Sequence, residues 1–419
     1  MGTALLLQKN VAKMISPVHL WVAQKSGLTD NLTPSQLRMW QRERLRGVID
    51  YATKNTRFYK ERIAPSMQLT DLPFTLPSDI ANDPLAFLAI PQNDVVRVTT
   101  LANSGTTTLR KRIFFSKSDL ERTKEFFSVG MSTMVSKGDR VQILISNRTE
   151  NSLGSLLKES LSQIGVTSEI SKPLKSVKDA IEVSKHADCL VGMPAELLYM
   201  SRTAPEMRPK SVLLAADIAP QSAINGIKKA WKCNVFTHYG HTEFGYGVAV
   251  NCNDSNDLHF RDAHNILEII DIKTQKPALP GKAGEIVITT LSNEAMPLIR
   301  YKTGNISRLL TEQCKCGSNL HRLGSIEGRI SDNFPITKNK IISILQLDKI
   351  LFTNSLIRGF AASISNEKGK TTLQITIDAT QCIDPTILKS ILPKEVRIDI
   401  KYGTTDPFTN RRKRRLTIN

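Results

Sequence analysis

The apolar positions of this chain change period along its length. After Thr33-Pro34-Ser35-Gln36, the residues Leu37, Trp40, Leu45, Val48, Ile49 and Ala52 recur at helical spacing and give one apolar face. Thr33 can cap, Pro34 suits a first turn, and Gln36 stands at the reciprocal capping position, so a helix is predicted to start there. A second helix is predicted over 118–134, with Ser118 and Glu121 as its capping pair. Short apolar runs at 141–145, 189–193, 212–216 and 235–237 then alternate with helical patterns at 152–164 and 176–186. That alternation predicts an α/β region with a largely parallel sheet.

From Leu258 the pattern turns β-rich. Strands are predicted over 266–270 and 285–290, joined by the turn-rich segment 276–281. Past Asp332 the chain reads as a separate small unit: a helix over 341–352, strands over 359–365 and 371–378, a helix over 385–392 and a strand over 396–402. Leu373, Ile375 and Ile377 alternate cleanly with polar residues, as do Val396, Ile398 and Ile400, so these strands are expected to keep one solvated face. The fold class is therefore α/β. A large N-terminal domain (1–331) is expected to hold mixed or parallel sheets and a β-rich subdomain, and a small α+β C-terminal domain (332–419) to follow.

Composition narrows the class of function. A length of 419 residues fits two or three domains with ample core. No apolar run approaches 18 residues, so no membrane span is expected. The opening ten residues lack a basic flank and a cleavage site and read as a helix, not a signal peptide. A cytoplasmic location is expected, with the six Cys as thiols or metal ligands and not a disulfide framework. The net charge of +18 favours anionic partners: nucleic acid, acidic membrane, or the phosphates of nucleotides and CoA. The single charge run, Arg411-Arg412-Lys413-Arg414-Arg415, comes without a nucleic-acid-binding module or interleaved aromatics, so nucleic acid is not the expected partner.

Candidate chemistry begins at Thr99-Thr100-Leu101-Ala102-Asn103-Ser104-Gly105-Thr106-Thr107-Thr108-Leu109-Arg110-Lys111-Arg112. Gly105 permits a tight turn, so backbone N–H groups can converge on one concavity beside hydroxyls and three cations. This suits a polyphosphate, although it is not the Walker pattern. Four more stretches follow in order: His238-Tyr239-Gly240-His241-Thr242-Glu243; Pro297-Leu298-Ile299-Arg300-Tyr301-Lys302-Thr303-Gly304-Asn305; Gly328-Arg329-Ile330-Ser331-Asp332; and Pro407-Phe408-Thr409-Asn410-Arg411-Arg412-Lys413.

In this order the five stretches resemble the motifs of the AMP-forming adenylating enzymes, the acyl-CoA synthetases and their relatives. Together with Arg57-Phe58-Tyr59, Asp71-Leu72-Pro73-Phe74-Thr75 and Glu285-Ile286-Val287-Ile288-Thr289-Thr290-Leu291, they are most similar to the phenylacetate-CoA ligase-like branch. The resemblance implies an N-terminal domain for ATP and the acyl group, and a mobile C-terminal lid. It implies a ligase that activates a small carboxylic acid with Mg-ATP as its acyl-adenylate and passes the acyl group to CoA. By the same resemblance, Ser104, Gly105, Thr106 and Thr107 would hold the β- and γ-phosphates and Lys111 is the loop's lysine. Glu243 would help hold Mg²⁺, a hard cation that takes carboxylate oxygen. Thr242 would meet the α-phosphate, and Tyr239, next to Gly240, would stack on adenine. Asp217 falls in the adenine-side loop, Arg329 would support ribose or phosphate, Asp332 matches the hinge, and Lys413 matches the catalytic lysine.

Two departures stand out. The family's ribose-binding Asp, which accepts from both ribose hydroxyls, is Asn305 here; an Asn accepts one and donates one, so the contact survives but weakens by about 1–2 kcal/mol. Thr108 stands where the phosphate loop has a small residue or glycine. A carrier-protein acceptor and a degenerate nucleotide-binding paralogue therefore remain as alternative readings, and the oligomeric state stays open, a homodimer included. Separately, Cys252, His259, Cys314 and Cys316 form a set that is similar to a structural zinc site in some members of the branch. Soft thiolates and an imidazole suit tetrahedral Zn²⁺, and the alternative is a set of buried free thiols. His241 reads equally as an acyl-pocket residue or a solvent-facing one.

Overall fold

The computed structural model describes residues 15–28, 32–64, 66–101, 110–145, 149–337, 340–367, 370–384, 386, 392, 396–409 and 413–418. The chain opens with helices α1 (Pro17–Ser26), α2 (Pro34–Asn55), α3 (Arg57–Lys60) and α4 (Pro77–Asn82). The start of α2 is the expected capping box: Thr33 N–H donates to Gln36 Oε1 at 3.0 Å, and Gln36 N–H donates to Thr33 Oγ1 at 3.3 Å. Strands β1 (Arg97–Leu101) and β2 (Lys111–Phe115) pair antiparallel across the phosphate-loop segment.

Helix α5 (Lys117–Met131) differs from expectation at its start. Its capping pair is Ser116 and Asp119, not Ser118 and Glu121. The reason is tertiary. The Asp119 carboxylate accepts the Ser116 N–H, and also those of Glu294 at 2.8 Å and Ala295 at 3.0 Å, which ties the helix start to a loop distant in sequence.

The main sheet is built from β3 (Arg140–Ile143), α6 (Leu153–Gln163), β4 (Thr167–Ile170), α7 (Val177–Ser184), β5 (Cys189–Gly192), α8 (Pro194–Thr203), β6 (Ser211–Leu214), α9 (Gln221–Trp231) and β7 (Asn234–Tyr239). These five strands run parallel. Both faces are covered, which explains their unbroken apolar runs. Cys189, Val191, Leu213 and Phe236 face the layer of Met131, Leu157 and Leu161, whereas Leu190, Val212, Leu214 and Val235 face the layer of α8 and α9. Strands β8 (Ala249–Cys252) and β9 (Ser255–Phe260) extend this sheet antiparallel from β7.

The β-rich region forms a separate antiparallel sheet of β10 (Asn265–Ile270), β11 (Ala283–Thr290), β12 (Tyr301–Arg308) and β14 (Gly328–Arg329); β13 (Arg322–Leu323) joins β9. Beyond it, β15 (Phe334–Thr337) and β16 (Lys340–Ile342) make a hairpin, so the helix expected over 341–352 begins only at α10 (Ile344–Leu351), capped by Ser343. A last sheet has the order β19 (Arg397–Tyr402), β18 (Lys370–Ala379), β17 (Ile357–Glu367), β20 (Thr417–Ile418). Apart from positions 386 and 392, the helices expected over 1–10 and 385–392 lie outside the described residues. Among the described residues, no helix is long and apolar enough to cross a membrane.

One apolar cluster joins α8 and α9 to the chain after 342. Tyr199, Ile227 and Trp231 share it with Leu347, Phe352, Phe360 and Phe408. Polar bonds cross at the same place: Tyr199 donates to Asp378 Oδ2 at 2.8 Å, and Ser222 Oγ donates to the Asp348 carbonyl at 2.8 Å. Trp231 is fully buried in the cluster, and its indole N–H donates to the Ala204 carbonyl at 2.9 Å. Trp231→Ala is expected to lower stability by about 3–5 kcal/mol through the cavity it leaves. Thermal unfolding checks this, and an unchanged melting temperature would mean that the cluster is not a packed core.

Candidate active site

Strand β7 delivers Tyr239 to its C-terminal end and stops at Gly240. A Cβ at Gly240 would lie 2.0 Å from the Tyr246 carbonyl oxygen, so only glycine fits this close approach. The chain then reverses: the N–H groups of Phe244 and Tyr246 both reach the His241 carbonyl, at 3.1 and 3.0 Å. The resulting 3-10 turn, Thr242–Phe244, buries the Glu243 side chain, which is 1% exposed.

Glu243 is the best-satisfied acid of the site. Its Oε1 accepts from Lys111 Nζ at 2.5 Å and from Tyr301 Oη at 2.8 Å, and its Oε2 meets His241 Nδ1 at 2.5 Å. Lys111 comes from β2 and also donates to Tyr301 Oη at 3.0 Å. Burial by itself would raise the pKa of Glu243, but the attraction of His241 and Lys111 outweighs it and holds the carboxyl well below the usual range. Burial, and next the charge on Glu243, push the Tyr301 phenol up, so it remains a donor.

Residues of the third and fourth stretches meet through sheet register. Asn305 on β12 is paired directly with Arg329 on β14. Asn305 is buried, and its Nδ2 is committed to Tyr239 Oη at 3.1 Å and to the Thr303 carbonyl at 3.3 Å. Tyr239 is buried, with its hydroxyl pinned by this contact. Burial raises its pKa.

Lys413 enters this neighbourhood from the far end of the chain. Its side chain is reached by solvent, yet protein atoms surround it closely, as in a narrow cleft. Desolvation lowers its pKa first, and Arg329 and Arg415 add to the fall; Asp217 and Glu243 oppose it. His238, tucked under Gly240, is pulled down to about 4 by burial and then by the charge of Lys413, so it is a neutral imidazole at pH 7. Asp217, Arg329 and Asp332 line one cleft together with Asp348 and Arg414. Thr242 is half-buried on the turn beside Glu243. Ser104, Gly105, Thr106 and Thr107 lie outside the described residues.

The structure thus brings Lys111, Glu243, His241 and Tyr301 into one network, and Asn305, Tyr239, Arg329, Asp217 and Lys413 around it. Tyr301 and His238 lie within the motif stretches and Arg414 within the charge run, but none carries a signal of its own; His238 and Arg414 merely adjoin Tyr239 and Lys413. His241 is partly buried; its Nδ1 meets Glu243 and its ring lies 5.6 Å from that of Phe244.

The cysteine set is a second constellation. Cys252 ends β8, His259 lies on β9, and Cys314 and Cys316 sit on the loop before β13; all four are buried. Their ligand atoms lie within 4.8 Å of one another, with Cys252 Sγ 3.7 Å from Cys314 Sγ and Cys316 Sγ 3.6 Å from His259 Nε2. A tetrahedral ion with metal–sulfur bonds near 2.3 Å sets its sulfur ligands about 3.8 Å apart, so the donor set fits a metal. Hydrogen bonding from Cys252, and next from His259, draws the Cys316 thiol down; hydrogen bonding to Cys316, and next burial, holds Cys252 up, and burial holds Cys314 up.

No family model matches the chain. Its sequence is 27% identical over 330 residues to the phenylacetate-coenzyme A ligase of Thermus thermophilus, covering 72% of each chain. It is 24% identical over 409 residues to that of Aromatoleum evansii, covering 89% of each. Its fold matches 2-hydroxyisobutyryl-CoA ligase in the postadenylation state with 2-HIB-AMP, at a TM-score of 0.78 and 17% identity, covering 93% of this chain and 90% of that one. The same ligase with 2-HIB-AMP and CoA in the thioesterification state gives 0.62. With motif order, site geometry, whole-length relatives and fold in agreement, the chain belongs to the superfamily of AMP-forming adenylating enzymes, and its sequence relatives include phenylacetate-coenzyme A ligases.

Proposed function

We propose that this chain is an AMP-forming acid–thiol ligase. In the first half-reaction a carboxylate oxygen attacks the α-phosphorus of ATP, and pyrophosphate leaves. In the second, the CoA sulfur attacks the acyl carbon, AMP leaves, and the thiol proton is lost to solvent. The observation that carries this reading is the convergence of Lys413 on the neighbourhood of Glu243, Arg329 and Asp217 from across the sequence.

Each residue suits one part of the task. The reacting groups are all anionic, so the site must neutralise charge that builds at the transferred phosphorus. Lys413 brings a compact ammonium on a flexible stem. Ser104, Gly105, Thr106 and Thr107 would hold the outer phosphates, and Thr242 the α-phosphate. Asn305 Oδ1 would accept one ribose hydroxyl. The Lys111 ammonium on Glu243 is a stand-in for a cation, so Glu243 fits a magnesium ion, which would supply further neutralisation of the phosphates when bound. Cys252, His259, Cys314 and Cys316 would hold a structural zinc with all four positions taken by protein.

The second half-reaction would require the unit after Asp332 to turn about that residue. The better overlay on the postadenylation structure than on the thioesterification one supports reading the present arrangement as that of the first half-reaction. The names of the relatives make arylacetic acids the first class to try.

The decisive assay is acid-dependent exchange of labelled pyrophosphate into ATP, screened over carboxylic acids from phenylacetate outward. Lys413→Ala is expected to cut exchange by about 100-fold or more with ATP binding retained; unchanged exchange refutes the role. Because the ammonium is the active form, exchange should fall as pH rises through the depressed pKa of Lys413, below the usual lysine range. Arg329→Gln removes a neighbouring cation, raises that pKa and shifts the alkaline limb to higher pH, whereas Asp217→Asn shifts it lower. A limb that moves the other way in the kcat profile contradicts the assignment. Elemental analysis should find about one zinc per chain. Cys316→Ser should lose the zinc and melt earlier, and a metal-free, equally stable wild type would leave the set as free thiols.

A further inference from the structure

The catalytic lysine is held by the residue after it. Arg414 lies within a run that reads as a solvated tail, yet only 20% of its side chain is exposed. Its Nε donates to Asp348 Oδ1 at 3.0 Å, and Nη2 lies 2.9 Å from the same oxygen. Its Nη1 donates to the Phe360 carbonyl at 2.8 Å, and the guanidinium sits 4.3 Å from the Phe360 ring centroid and 5.3 Å from that of Phe352. Its backbone N–H donates to Asp217 Oδ2 at 3.0 Å.

These contacts reach both halves of the molecule. Asp348 is buried on α10, and its carbonyl is the one that receives Ser222 Oγ from α9. Asp217 follows β6 through Ala216, whose φ of +66° is costly for a residue with a Cβ and turns Asp217 out of the strand line into the cleft. Burial pushes Asp348 up to about 6 against the pull of Arg414, so near pH 7 it remains a carboxylate. A planar, stackable fork that contacts a carboxylate, a carbonyl and two rings together is what arginine offers and lysine does not.

We propose that Arg414 is a positioning residue for Lys413: it fastens the C-terminal tail at once to α10 and to Asp217, so that Lys413 reaches the cleft only when α10 is seated on α9. The catalytic consequence rests on the ligase reading above; the tether itself does not.

The test pairs two measurements on the full-length protein carrying Arg414→Ala or Arg414→Lys. In pyrophosphate exchange, Arg414→Ala should lower kcat by about 10- to 100-fold with the KM for ATP within about twofold, and Arg414→Lys should restore little of it. In a Lys413→Ala background the same change should cost nothing more, because the tail then has no amine to place. In limited trypsin digestion mapped by mass spectrometry, cleavage within 409–416 should quicken about tenfold or more in both variants, with the melting temperature of Arg414→Lys close to wild type. Equal losses with and without Lys413, or a tail as protected in both variants as in wild type, would overturn the proposal. A wild type that exchanges with no acid would sink the ligase reading alone, and the digestion would still decide whether Arg414 holds the tail.

Discussion

A buried carboxylate has to be compensated, and Glu243 is the group around which this requirement is met. Removing one partner from a buried ion pair costs about 3–5 kcal/mol, because the remaining charge has no water to fall back on. Here the compensation comes from three places in the chain: Lys111 on β2, His241 on the turn after β7, and Tyr301 at the head of β12. The hairpin of β1 and β2, the parallel sheet and the antiparallel β10–β12 sheet therefore meet at one side chain. The same arrangement keeps a cation in place beside the acid.

The positive groups around that acid are kept from collapsing onto it. Arg329 is fixed opposite Asn305 by strand register, and Lys413 arrives on a tail tied down by Arg414. Burial, and next the charges of Arg329 and Arg415, lower the pKa of Lys413, and the carboxylates of Asp217 and Glu243 limit the fall.

The cysteine and histidine set braces the strands behind this centre. Cys252 and His259 lie on β8 and β9, which continue the sheet from β7, the strand that ends in Tyr239. A metal held there would fix the loop carrying Cys314 and Cys316 against the sheet, far more firmly than four thiol and imidazole contacts could.

Much of this was legible from the residues themselves. Hydrophobic period gave the parallel strands, because a strand buried on both faces has to be apolar throughout, and local capping chemistry gave the start of α2. The order of the motifs, through its resemblance to that of the adenylating enzymes, singled out Lys111, Glu243, Asn305, Arg329 and Lys413. What sequence could not contain was partnership across distance. The α5 cap moved to Ser116 and Asp119 because that carboxylate also serves the loop at 294–295, and residues 340–342 became a strand because 334–337 lay alongside to pair with them. The capture of Glu243 by Lys111 and Tyr301, 132 and 58 positions away, and the fastening of Arg414 to Asp348, 66 positions away, likewise follow from packing that no local pattern records. Composition and period decided what kinds of groups the chain carries; only the tertiary fold decided which of them neutralise one another, because burial makes each charge depend on whatever neighbour the packing supplies.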